Sequence, residues 1–156
     1  MRLVGPDRYR LYFNSRRFTV RGPNGDSKFR GRAAARRPKL YVVSRNRRPF
    51  YVGIAVQGMR GRLRLGWKAN LKTGYRGYAW RRHYSDAALH IWYLEPAQGA
   101  SGRREIETIE AEVVFGLRRA KRQWPRHQTE IHFHPSSTEH RKLAANVLRH
   151  FDIAPS

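Results

Sequence analysis

The chain has 156 residues, enough for one domain with an appended segment, and its 40% apolar share with 12% aromatics is sufficient for a core, which excludes a wholly disordered tail. Thirty-three Lys and Arg against eleven Asp and Glu give a formal charge of +22, and a chain so charged calls for a polyanionic partner. There is no cysteine, no run of 18 apolar residues and no apolar leader, which excludes a disulfide framework, a thiolate zinc site and a membrane span and fits a cytoplasmic protein.

Residues 1–37 carry eleven Lys and Arg against Asp7 and Asp26. Tyr9–Phe13 and Phe18–Arg21 read as short strands, and the Gly-, Pro- and Arg-rich stretch from Gly22 to Arg37 reads as a basic loop. The block is expected to be a basic arm or hairpin extension, with the folded domain and its C-terminal helix in 38–156.

Lys39–Val43 and Phe50–Val56 are β-branched and aromatic, and the polar residues between them make a hairpin. A turn centred near Asn46 sets Tyr41 opposite Tyr51, so that both phenols share a face. Met59–Lys68 reads as a short helix, 70–82 as loop, Leu89–Leu94 as a third strand and 104–121 as the strongest helix. A last helix from about Thr138 to Phe151 opens on a Ser136/Glu139 capping box. The fold expected is α+β, with a three-stranded antiparallel or mixed sheet flanked by helices.

Placed at about 100° per residue, Ile106, Ile109, Val113, Val114 and Leu117 form one face of the 104–121 helix. Glu110 falls in the middle of that face, Glu107 at its edge, and Glu105 and Glu112 elsewhere. A carboxylate in an apolar stripe is costly unless it is paired or bound to a cation, so Glu110 is either half of a buried Glu–Arg pair or a chemical group. His132 and His134, two apart on an expected strand, share a face near His127; strand packing or DNA contact is favoured there over metal binding.

Leu40-Tyr41-Val42, then Tyr51-Val52-Gly53, then a helix with Arg62, then Glu110-Ala111, then Pro125-Arg126-His127-Gln128 form an ordered set. It resembles the GIY-YIG nuclease superfamily over roughly residues 39–128. Lys39 stands for the first glycine and Gln128 for the asparagine of a closing Pro-Arg-x-Asn segment. Arg60, Arg64 and Arg76 are alternatives to Arg62 as the family's arginine. Four residues past Arg62, where many members carry His or Tyr, stands Gly66; Lys68, Tyr75 or Tyr78 can supply that group. The Trp124-Pro125 to His134 segment is closer to the restriction-enzyme-like members.

The resemblance implies a DNA endonuclease acting on double-stranded DNA, with Tyr41, Tyr51, Arg62, Glu110 and Gln128 as the catalytic set. It implies one divalent ion, Mg²⁺ or Mn²⁺, on Glu110, which suits an ion that takes one carboxylate plus water and phosphate. Phenols among cations can orient or deprotonate water. Arg36, Arg37, Arg60, Arg64, Lys68 and Arg76 are candidate contacts to DNA phosphates, and a homodimer is compatible with the set. The other class of function is a non-catalytic basic RNA- or DNA-binding protein, in which Tyr75, Tyr78 and Trp80 stack on bases.

Overall fold

The computed structural model describes residues 1–69, 77–96, 99–122, 125, 127–128 and 131–155. Five strands, β1 (Arg2–Phe13), β2 (Phe18–Arg21), β3 (Lys39–Arg45), β4 (Arg48–Ala55) and β5 (Asp86–Glu95), form one antiparallel sheet in the order β2-β1-β5-β3-β4. Three helices pack on it: α1 (Met59–Lys68), α2 (Gly99–Lys121) and α3 (Thr138–His150). The fold is α+β.

The expected sheet of three strands is corrected to five, because the N-terminal block is no appended arm. β1 pairs along its length with β5, from Arg2↔Glu95 to Tyr12↔Asp86, with one irregularity between Val4 and Asp7. The sequence reading saw this strand only from Tyr9 to Phe13; its outward residues include Arg8, Arg10 and Tyr12, while Tyr9, Leu11 and Phe13 alternate into the core. The indole Nε1 of Trp67 in α1 donates to the Asn14 carbonyl at 2.9 Å, tying the β1–β2 turn to that helix.

Alternation divides the core into two halves. Tyr41, Val43, Tyr51, Leu89 and Ile91 face α1 and the segment from Tyr78 to Tyr84. Leu40, Val42, Val52, Trp92 and Leu94 face α2 and α3. α1 turns Met59, Leu63 and Trp67, spaced four apart, onto the sheet; burying each contributes roughly 2 kcal/mol. α2 lays Ile106, Ile109, Val113, Val114 and Leu117 against the other side, as its periodicity predicts.

α1 and β2 coincide with the sequence reading, while β1, β5 and α2 begin earlier than read, at Arg2, Asp86 and Gly99 rather than Tyr9, Leu89 and Arg104. Local details differ as well. The cap of α3 is one residue later, at Ser137, whose partner is His140: Nδ1 of that ring accepts from the Ser137 N–H at 3.0 Å. The β3–β4 turn is the residue pair Asn46-Arg47, both with positive φ (50° and 61°), the twist-matched geometry of a two-residue hairpin. An irregularity between Val43 and Ser44 then sets Tyr41 opposite Gly53 and Tyr51 opposite Val43. The two phenols are therefore diagonal neighbours on one face rather than direct partners. Residues 131–137, expected as a strand with His132 and His134, have no regular structure.

Removal of residues 1–37 strips β1 from β5 and opens one half of the core. The truncated chain is expected to be insoluble or to lack a cooperative thermal transition by circular dichroism, where the full chain melts cooperatively.

Candidate functional site: a pocket at the β4 edge

β4 is the outer strand, so its free edge is where the α1 layer and the α2 layer meet across the sheet. A cavity of about 390 Å³ opens there, lined by Tyr51 and Ile54 from β4, Arg62 from α1, Arg103, Glu107 and Glu110 from α2, and His132 among others. Tyr51, Arg62 and Glu110, chosen from the sequence, thus share one pocket. Among the three arginines of α1, Arg62 lines it and Arg60 and Arg64 do not. The Arg62 Nε donates to the Ile54 carbonyl at 3.0 Å, and its guanidinium lies 5.9 Å from the Tyr41 ring and 5.6 Å from the Tyr78 ring.

Tyr41 has another role. It is fully buried, its hydroxyl lies 2.7 Å from that of Tyr78, and burial pushes its phenol well above the ordinary value, outweighing the lowering by Arg62. The expectation that neighbouring cations make it a base is corrected: desolvation wins. Its ring lies across Gly53, where a Cβ would stand 2.5 Å from the Tyr41 Cζ. The Tyr78 ring similarly covers Gly66, where a Cβ would stand 2.1 Å away. Of the candidates to replace a side chain at 66, Tyr78 is the one that fills the space. The buried Arg81 guanidinium secures this segment, donating to the carbonyls of Gly66 (3.3 Å), Tyr78 (2.9 Å) and Ala69 (3.0 Å) at the end of α1.

Gln128 is also a positioning group: its carboxamide oxygen accepts the Val52 N–H at 3.0 Å, and the His127 N–H reaches the Phe50 carbonyl at 3.3 Å. The segment after α2 is thereby tied along β4, beside the pocket. Arg36, Arg64 and Lys68 are exposed and Arg60 half-buried. Arg37 instead donates to Glu95 at 3.4 Å. Arg76, Tyr75, Trp124 and Arg126 lie outside the described residues. Tyr78 and Trp80, read as base-stacking candidates, are fully buried and cannot stack on a base in this conformation.

Two neighbouring glutamates have opposite environments. For Glu107, burial favours the neutral form, but hydrogen bonds from Arg103 (2.9 Å) and His134 (2.8 Å) outweigh it and hold the carboxyl below its usual range. Burial pushes Glu110 up to about 8; Arg62 offsets this in part and the Glu107 charge adds to it. Among the described residues nothing donates a hydrogen bond to Glu110 and no cation lies within 4 Å of it, so of the two alternatives read from the sequence the buried Glu–Arg contact pair is not formed among them. Sequence reasoning missed Arg103, although positions 103, 107 and 110 fall on one helical stripe and that spacing was available. It placed His132 near a strand rather than in this pocket.

No group of three or more His, Cys, Asp or Glu side chains stands together as a metal cluster among the described residues. The oxygen groups lining the cavity, the Glu110 carboxyl first and Glu107 and Tyr51 near it, are of the class that a hard cation takes, and one carboxylate with water and phosphate would suffice for it. No helix among the described residues is long and apolar enough to cross a membrane. No family model, no curated protein and no solved structure matches the chain.

The raised carboxyl has a consequence for stability. Folded Glu110 keeps its proton up to about pH 8, whereas the unfolded group loses it near 4.5. The folded chain thus binds more protons between these values, and stability from this group falls as pH rises through that window. Glu110→Gln is expected to be close to the wild type near pH 4.5 and to exceed it by about 4 kcal/mol at pH 8.5, on the order of 1.4 kcal/mol per pH unit across the window. Urea melts of both proteins across this range check the difference.

Proposed function

We propose that the protein is a divalent-metal-dependent DNA endonuclease of the GIY-YIG type, cutting double-stranded DNA at the β4-edge pocket. The observation that carries the reading is the buried Glu110, to which no described residue donates a hydrogen bond, facing the same cavity as Arg62 and Tyr51. A carboxyl in so costly a position (6% exposed) is understandable if its charge is compensated only when substrate and ion are bound.

Phosphodiester hydrolysis needs a bound phosphate, a positioned water, a proton acceptor and relief of the charge that develops on oxygen. Arg62 and Arg103 would bind the scissile phosphate from opposite layers. Tyr51, the phenol lining the pocket, would hold the attacking water in line with phosphorus, its oxygen accepting a hydrogen bond from that water and helping its proton pass to solvent while the leaving oxygen takes up another. Tyr41 and Tyr78 serve by fixing the floor beneath Arg62. Glu110, after losing its proton, would hold the cation; that ion, when bound, neutralises charge on the phosphoryl and leaving oxygens. Because a ligating carboxyl must be ionised, binding of the ion is coupled to release of this proton. Glu107 keeps Arg103 and the 131–134 segment against the pocket. The basic surface supplies affinity for DNA irrespective of sequence.

Supercoiled plasmid incubated with the protein is expected to be nicked or linearised with Mg²⁺ or Mn²⁺ and to stay intact with EDTA. Glu110→Gln should abolish cleavage while retaining DNA binding, with Glu105→Gln and Glu112→Gln mild. A fully active Glu110→Gln protein would end the single-ion reading.

Tyr51→Phe is expected to slow cleavage by about a hundredfold, as for lost help with proton transfer, without lowering the melting temperature much. Tyr41→Phe should act chiefly on folding, costing about 1 kcal/mol for the lost contact with Tyr78. Single-turnover cleavage and thermal melts of both variants separate the two roles.

A further inference from the structure

A second basic surface lies away from the edge pocket, on the sheet face that α2 and α3 leave uncovered. Cover on this side ends with α3 and Phe151, whose ring meets His90 at 4.8 Å. Beyond it, one row of side chains runs across four strands as Arg21, Arg10, Ala88 and Ser44, each opposite the next. The adjoining rows present Arg8 beside His90 and Thr19 beside Tyr12. Small side chains at 88 and 44 between long ones leave a trough of about 680 Å³. Its lining contains Arg8, Arg10, Arg21 and Arg47 and no carboxylate.

Two of these arginines are already engaged. Arg10 pairs with Asp86, and Arg47 holds Asp152 and the His150 carbonyl at 3.0 and 2.8 Å. Arg8 and Arg21 are exposed and form no ion pair among the described residues. Beside them Tyr12 presents an aromatic ring that is 48% exposed on a strand. Unpaired guanidinium groups around an exposed tyrosine on an open sheet form the two-part chemistry of single-strand recognition, in which cations follow phosphates and an aromatic face stacks a base. A duplex keeps its bases stacked inside and cannot offer one to Tyr12.

We propose that this trough is a binding site for an unpaired DNA strand, with a base on Tyr12 and the flanking phosphates on Arg8 and Arg21. It shares no residue with the β4-edge pocket, so binding here is independent of cleavage there; only the choice of DNA over RNA rests on the proposed nuclease activity. The partner is recognised by charge complementarity and stacking, without reading base edges.

The test uses the full chain without divalent metal and follows the anisotropy of a labelled ten-residue oligothymidylate at several salt concentrations. Arg8→Ser/Arg21→Ser is expected to weaken binding at least tenfold and to flatten the slope of log affinity against log salt by about 1.4, from roughly 0.7 per lost single-strand phosphate contact. Tyr12→Ala should weaken binding about tenfold with the salt slope unchanged. A control, Arg104→Ser/Arg119→Ser on α2, removes the same charge elsewhere and should change affinity by less than threefold. Equal loss in the control, or full affinity in Tyr12→Ala, would overturn the site. Tighter binding of a ten-residue oligouridylate would overturn the assignment to DNA. Circular dichroism confirming that each variant is folded keeps every outcome interpretable, and a chain that binds the oligothymidylate this way without cutting plasmid would separate this proposal from the nuclease reading.

Discussion

The pairing of β5 with β1 on one side and β3 on the other is the constraint on which the architecture rests. β5 brings the first residues of the chain into register with its middle and holds the sheet to which both helical layers attach. Its side chains alternate between Leu89, Ile91 and Tyr93 on the α1 side and His90, Trp92 and Leu94 on the α2 side, so one strand contributes to both halves of the core. With three strands the sheet would be too narrow to support α1 and α3 together. The edge pocket is then a matter of topology: helices on opposite faces can bring groups to one cavity only past the border of the sheet, and β4 is that border.

At this border two neighbouring carboxyls are held in contrasting environments. The Glu110 side chain lies between the apolar residues Ile106, Ile109, Val113 and Val114 and the polar stripe of Arg103 and Glu107, and its burial favours the neutral form at pH 7. Glu107, one turn away, stays charged because Arg103 and His134 satisfy it. Their surroundings drive the two carboxyls in opposite directions, Glu107 down and Glu110 up. Glu110 is the one to which no described residue donates a hydrogen bond, where buried polar groups are ordinarily satisfied.

The helices and the hairpin were legible because their signals are periodic and local. Met59, Leu63 and Trp67 mark α1 by spacing alone, and the position of Glu110 on its wheel correctly foretold its burial. β1 was read at half its length because Arg2–Arg8 carries charge and a proline, and its partner lies some eighty residues away, beyond the reach of any local pattern. The pairing of Tyr41 with Tyr51 was off by two residues, one from the turn lying at Asn46-Arg47 and one from the irregularity at Val43/Ser44, and the shared face was right because two such shifts restore the parity of the pleat. The burial of Tyr41 was illegible for a different reason: it depends on Gly53 giving space to its ring and on Tyr78 arriving from 37 residues away. Arg103 was missed although its helical spacing from Glu107 and Glu110 was legible, and His132 was placed on a strand, because their shared pocket exists only once α2 and residues 131–134 stand beside β4.

The strap of His127 and Gln128 along β4 has a consequence for how copies of this chain meet one another. A sheet border with unpaired backbone groups is a template on which another chain can add a strand, and a protein at high local concentration on a polyanion would be exposed to that hazard. Here the Val52 N–H is taken by a side-chain oxygen and the Phe50 carbonyl by the His127 N–H, so part of the border is spent within the chain. The opposite border is β2, four residues long and ending at Arg21. A short, charged strand at one end and a tethered one at the other leave little room for edge-to-edge polymerisation, and the same strap that frames the pocket helps to keep the molecule from aggregating through its sheet.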